Sequence, residues 1–162
     1  MRNKGISVII CCFNSSNRIS EVIDFISEQK FITAISFEII VIDNASTDNT
    51  SEIVELIKGK YNEISINLLL ESRAGLMYAR EKGIKAAKFE YLLFCDDDNL
   101  LCDRYLHGMY EIMESDNEIG ICGGKGIELL RDADEPFWFG KYKRSFAVGS
   151  QITNPQLGLY GA

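Results

Sequence analysis

The feature that most constrains this chain is a series of short, unbroken apolar runs, each followed at once by polar residues. The runs are Ile6–Cys12, Glu38–Ile42, Ile64–Leu70, Tyr91–Cys95 and Ile119–Cys122, most of them rich in Ile, Val or Leu. Continuous rather than alternating apolarity suits strands buried on both faces. Between the runs the apolar residues take helical spacing. Ile19, Val22, Ile23 and Ile26 form one such set, Leu76, Ala79, Arg80, Gly83, Ile84 and Ala87 another, and Leu106, Met109, Tyr110 and Met113 a third. Asn49 with Glu52 three residues on resembles a capping box opening the second helix. The order βαβαβαβαβ predicts an α/β fold, a mainly parallel sheet flanked by helices. In such sheets ligands bind beyond the carboxyl ends of the strands, so the polar residues just after each run are the ones to examine.

Length and charge narrow the class. The 162 residues suit a single domain, large enough to fold without a disulfide or metal staple. Seventeen Lys and Arg against 24 Asp and Glu give a net charge of −7, which argues against a nucleic-acid partner gripped by the whole surface. No stretch approaches the roughly 18 apolar residues of a membrane span. Arg2 and Lys4 before the run Ile6–Phe13 imitate a secretory signal. The run is short, lacks a small-residue cleavage site and continues into a helical pattern, so it reads as a buried strand. Five cysteines, at 11, 12, 95, 102 and 122, match no metal-ligand spacing, and reduced thiols in a cytoplasmic protein are expected. Both prolines, Pro136 and Pro155, and eight of the 13 glycines lie at or beyond Gly120. That shift divides the chain into a regular core, residues 1–126, and an irregular tail, 127–162.

Three polar segments follow the strands: Cys11-Cys12-Phe13-Asn14, Asp43-Asn44-Ala45-Ser46-Thr47-Asp48-Asn49 and Asp96-Asp97-Asp98-Asn99. Carboxylates crowded after a buried strand repel one another, by about 3 kcal/mol for a pair ~5 Å apart at an effective dielectric of about 20. In extended geometry Asp96 and Asp98 face the same way and can share a cation. Oxygen donors without His or Cys favour Mg²⁺ or Mn²⁺. Capping of the next helix by the same acids is the competing reading. Asp43 either stabilises a turn or offers its carboxylate to a ring N–H of a base. Arg80 falls on an apolar helix stripe, where it either approaches a diphosphate or pairs with an acid beneath the rim. No GxGxxG or P-loop spacing occurs, Gly123-Gly124-Lys125-Gly126 included, which counts against a phosphate cradle built of glycines.

Together these segments resemble the nucleotide-binding half of a family 2 glycosyltransferase with the GT-A fold, a Rossmann-like sheet. Ile6-Ser7-Val8-Ile9-Ile10-Cys11-Cys12-Phe13-Asn14 looks like the family's VSVIIPTYN strand, and Phe37 to Asp48 looks like FEIIVVDDGSTD. Tyr91 to Asn99 looks like the strand carrying the DXD motif, and Ala79 to Ile84 resembles the ARNxGI helix. The match covers about residues 5–125. The resemblance implies that Asp43 accepts the uracil or thymine N3–H while Cys11, Cys12, Phe13 and Asn14 line base and ribose. It implies that Asp96 and Asp97 meet the ribose or the metal's water shell. Asp98, with Asp96, would ligate Mn²⁺ or Mg²⁺ on the donor diphosphate, with Arg80 and Arg73 adding positive charge.

The implied partners are a nucleoside-diphosphate sugar, UDP-sugar favoured, and a glycan or lipid-linked acceptor, in the cytoplasm or at the inner face of the membrane. Cys11 replaces the usual Pro, and Asn44-Ala45 replace Asp-Gly, which would reshape the base pocket. The family's catalytic base lies in an acidic motif further downstream, beyond Ala162, so a donor-binding piece of a longer enzyme is expected. Asp132, Asp134 and Glu135 are acids without a placed role. The segment Pro136 to Arg144 mixes aromatic and basic residues, suited either to a flap packed on the sheet or to acceptor sugars and a membrane surface. His107 reads as structural. A nucleotidyltransferase and a non-catalytic binding module are the competing functions; the first would need a Gly-rich, basic loop after the first strand.

Overall fold

The computed structural model describes residues 2–130 and 134–142. It divides into two compact units, Met1–Tyr110 and Glu111–Ala162. The first holds β1 (Asn3–Cys12), α1 (Ile19–Ser27), β2 (Phe37–Asp43), α2 (Thr50–Lys58), β3 (Ser65–Leu70), α3 (Leu76–Ala86), β4 (Phe89–Asp96) and the start of α4 (Tyr105–Ser115). The four strands form one parallel sheet in the order β3-β2-β1-β4. The expected parallel α/β architecture is therefore the observed one, and four of the five expected strands are present.

Two unequal layers cover the sheet. On one face Val8, Ile10, Ile39 and Val41 pack with Ile19, Val22, Ile23 and Ile26 of α1, Val54 and Ile57 of α2 and Leu106 of α4. On the other, Ile9, Ile40 and Ile42 meet Ala79 of α3 together with Ala87. Small residues let α3 lie close: a Cβ added to Gly83 would stand 2.5 Å from Cγ2 of Ile9. The buried stripe of α3 is consequently narrower than its spacing suggests, since Leu76 and Ile84 are exposed while Ala79 and Gly83 are buried. The outer strands also depart from expectation. β1 and β2 are buried on both faces, but β3 and β4 are only half-buried, with Leu70 and Phe94 exposed. Edge position and cover by a single helix on one face leave their apolar runs partly open.

Beneath the sheet, Glu38 of β2 is 1% exposed and gathers donors from β1, from β3 and from Lys88, the residue just before β4. Its Oε1 accepts the Ser7 hydroxyl and the Lys88 backbone N–H, both at 2.8 Å. Its Oε2 accepts from Asn67 at 3.3 Å and pairs with the Lys88 ammonium at 3.1 Å. Ser7 in turn accepts the Phe89 N–H at 3.1 Å. A buried carboxylate is tolerated only when so fully engaged.

Two local expectations are corrected. Ile119–Cys122 is not a strand: it lies outside regular structure, with Ile121 exposed. Gly120 inside the run and Gly123-Gly124 after it supply no side chains to pack. Asn49 precedes α2 but makes no side-chain capping bond. Asp48 caps instead, its Oδ1 accepting the Thr50 N–H at 3.1 Å and the Thr50 hydroxyl at 2.5 Å. In the second unit, α5 (Phe139–Tyr142) follows Trp138, whose ring meets Phe139 edge-on at 6.1 Å. Asp132, Lys143, Arg144 and Pro155 lie outside the described residues. His107 is buried on α4, in keeping with a structural role.

Glu38→Ala should cost about 3 kcal/mol, because it strands several buried donors at once. Urea unfolding measures this, and a loss below about 1 kcal/mol would show the network to be dispensable.

Candidate functional site

Pairing in parallel on both sides of β1 brings three strand ends to one rim. Cys12 stands opposite Asp43 of β2, and Cys11 opposite Asp96 of β4. Here opens a cleft of about 250 Å³. Four expected residues line it: Cys11, Cys12, Phe13 and Asp97. Of the other four, Asn44 stood in the segment expected to shape the base pocket, whereas sequence reasoning missed Arg18, Leu76 and Ala79 as lining residues. Phe13 is half-exposed, leaving a ring face free to stack. Burial pushes the Cys11 thiol up to about 11 and Cys12 higher still, so both are neutral walls rather than nucleophiles. All five cysteines are free thiols.

Side chains from the loops hold the rim together. Oδ1 of Asn14 accepts the Thr47 N–H at 2.8 Å, while the Asn14 N–H donates to the Ser46 hydroxyl at 3.0 Å. The Ser15 N–H donates to Thr50 at 2.8 Å, and the Ser16 N–H to Asp48 at 3.1 Å. Asp43 is buried, and its carboxylate accepts the Ser46 N–H at 3.0 Å and the Ser51 hydroxyl. Here it organises the turn, as one of its two sequence readings expected. Asn44 donates to the carbonyls of Glu71 at 3.1 Å and Arg73 at 2.7 Å, and accepts the Gly75 N–H at 2.8 Å. An Asp in its place could not donate to those two carbonyls.

The arginines differ from expectation. Arg73 makes a forked pair with Glu71, at 3.0 Å to each oxygen, and its guanidinium lies 4.5 Å from the Tyr78 ring centre. Arg80 lies over Phe94 at 5.6 Å, a cation–π contact that neither of its two sequence readings named. The acidic run also differs. β4 ends at Asp96, Asp97-Asp98 form a turn, and the Asn99 N–H closes it onto the Asp96 carbonyl at 3.2 Å. Extended alternation therefore does not set the directions of Asp96 and Asp98. Both are exposed, whereas Asp97 turns inward to Arg18 at 2.8 Å and to the Ser15 hydroxyl. Among the described residues no group of three or more His, Cys, Asp or Glu side chains is arranged to hold a metal ion. One or two exposed carboxylates fit Mg²⁺ or Mn²⁺, ions that complete their shell with water and substrate phosphates.

The parallel sheet with an acid-rimmed cleft at its carboxyl ends is the arrangement of the GT-A glycosyltransferases, and similar solved structures place the chain's fold among them. The chain belongs to glycosyl transferase family 2, whose model matches residues 7–136. It is 30% identical over 125 residues to the poly(ribitol-phosphate) beta-N-acetylglucosaminyltransferase TarP of Staphylococcus aureus, covering 77% of this chain and 38% of that protein. It is 34% identical over 125 residues to the cholesterol galactosyltransferase of Borreliella burgdorferi, covering 77% and 34%. Among solved structures, S. aureus TarS 1-349 in complex with UDP superposes with a TM-score of 0.61 at 27% identity, over 68% of this chain and 32% of that one. The mannosyltransferase PcManGT of Pyrobaculum calidifontis, in complex with GDP-Man and Mn²⁺, gives 0.56 at 28% identity, over 61% and 29%. The chain thus spans 38% and 34% of the length of these two curated relatives. Among the described residues no helix is long and apolar enough to cross a membrane.

Two predictions follow from the rim. Ala45 adopts φ +60°, a left-handed conformation that costs an alanine about 1 kcal/mol or more. Ala45→Gly should therefore raise stability by roughly 0.5 kcal/mol after the entropy glycine loses on folding, readable as a higher urea midpoint. Hydrogen bonds from Thr50 and Ser16 pull Asp48 down from 3.8 to about 2, and Arg73 pulls Glu71 down from 4.5 to about 2. Both groups bind protons more weakly folded than unfolded, so their contribution is present at neutral pH and lost as pH falls from about 5 toward 2. The urea midpoint should fall across that window, and Asp48→Asn with Glu71→Gln should flatten the fall.

Proposed function

We propose that the cleft binds a nucleoside-diphosphate sugar, a UDP-sugar being favoured, and that the full enzyme transfers the sugar to an acceptor hydroxyl with inversion. The observation that carries this reading is the cleft itself, walled by Cys11, Cys12 and Phe13 and flanked by exposed Asp96 and Asp98. Support comes from the similar solved proteins, TarS with UDP and PcManGT with GDP-Man and Mn²⁺. Phe13 and the β1 backbone line base and ribose, and Asp43 receives the base N–H with the lone pairs that Ser46 and Ser51 leave open. Asp98, with Asp96, holds Mn²⁺ or Mg²⁺. Such an ion, when bound, neutralises charge that builds on the departing nucleoside diphosphate. Arg80 and Arg73 contribute positive potential from α3 and the loop before it, although both are engaged within the protein. Glycan or lipid-linked acceptors suit this reading, as does a location in the cytoplasm or at the inner face of the membrane.

Thermal shift with UDP, GDP and dTDP, each with and without Mn²⁺, tests the reading. One nucleotide should raise Tm more with Mn²⁺ than without, and Asp98→Ala should abolish the metal-dependent part. A folded protein that none of the three stabilises would overturn it. A nucleotidyltransferase finds less support, because Asn14-Ser15-Ser16-Asn17 is neither basic nor glycine-rich.

A further inference from the structure

The three successive aspartates after β4 are not equivalent. Asp96 and Asp98 are exposed, but the Asp97 side chain is 16% exposed and turned toward the loop after β1. Its Oδ2 accepts from Arg18 at 2.8 Å and from the Ser15 hydroxyl. The same arginine donates to the Ser15 hydroxyl at 3.2 Å and to the Asn14 carbonyl at 3.3 Å. Ser15 is fully buried, its N–H bound to Thr50 at 2.8 Å, so the anchor on that side is rigid. Arg18 immediately precedes α1, whose Ile19 is fully buried, so its backbone is fixed as well. The Asp97 carboxylate raises the Arg18 guanidinium further above its ordinary range, as expected of a close charged partner.

We propose that Asp97 is a positioning residue rather than a ligand of donor or metal. Arg18 and Ser15 clasp it, and that clasp fixes the turn from which Asp96 and Asp98 project. This rests on the donor-site reading above. A turn carrying three adjacent carboxylates would otherwise splay to separate its charges; neutralising the middle one lets the outer two stay close. The clasp also joins the β1 loop, which carries Phe13, to the β4 turn across the cleft. Both residues line that cleft, so the pair sets its width as well.

A double-mutant cycle on UDP binding, measured by calorimetry with and without Mn²⁺, separates positioning from direct contact. Losing the partner that orients a metal-binding group typically costs about 10- to 100-fold in metal affinity. Arg18→Met and Asp97→Asn should each weaken Mn²⁺-dependent UDP binding at least about tenfold, and the double variant should be no worse than either single one. An additional loss for Asp97→Asn in the Arg18→Met background would mean direct contact and overturn the proposal. Full Mn²⁺-dependent affinity in Arg18→Met would overturn it too.

Amide hydrogen exchange gives a reading that needs no ligand. The Asn99 N–H, which closes the turn, should exchange at least about tenfold faster in Arg18→Met than in the wild type, while core amides of β1 and β2 stay unchanged. Unchanged exchange at Asn99 would overturn the clasp even if the wild type bound no nucleotide. Failure of nucleotide binding alone would fall on the donor-site reading.

Discussion

Everything at the rim depends on β1 lying in the middle of the sheet, paired in parallel with β2 on one side and β4 on the other. Parallel pairing sends all three strands out at the same edge, so the segments that follow them must share one small space. Register then fixes the neighbours: Cys12 beside Asp43 and Cys11 beside Asp96. No helix could collect those groups, because they come from residues some 30 and 80 positions apart. The apolar runs that bury β1 and β2 on both faces thus also decide where the chemistry sits.

Crowding polar loops at one edge raises a second problem, since their backbone and side-chain groups lose water. The chain meets it by pairing loop with loop. Asn14 ties to Ser46 and Thr47, Ser15 to Thr50, Ser16 to Asp48, and Asn44 to the residues before α3. At the opposite end Glu38 performs the same task for Ser7, Asn67 and Lys88. The sheet is therefore clamped by side-chain networks above and below an apolar middle. Of the three acids after β4, Asp96 and Asp98 stay exposed to face a ligand, Asp96 also accepting from the Asn99 side-chain amide at 3.4 Å.

Much of this was legible in the amino-acid order. Unbroken apolar runs identified four strands, helical spacing identified α1, α3 and α4, and their alternation implied the parallel sheet. The polar segments after β1, β2 and β4 were recognisable as the rim from their position alone. Illegible were features that depend on distant partners. Arg18 looks like an unremarkable polar residue before a helix until Asp97, 79 positions on, comes to meet it. Arg73 was expected to add positive charge at the site, and Arg80 either to do so or to pair with an acid beneath the rim; instead Glu71 and Tyr78 engage Arg73, and Phe94 engages Arg80. Ile119–Cys122 carried a strand's composition but, set among glycines, joined no sheet.

Sequence alone determined the four strands and the helices between them, because burial periodicity is a local property that each segment carries with it; Ile119–Cys122, a strand by composition, shows that joining the sheet also needs packing. It also determined which acids could be at the rim, because every strand end points the same way in a parallel sheet. Tertiary structure decided what each acid does there. Asp97 turns inward, Asp43 holds a turn, and Asp96 and Asp98 stay exposed. The physical reason is that a carboxylate's role follows from the donors within about 3 Å of it, and those donors arrive from other strands and loops.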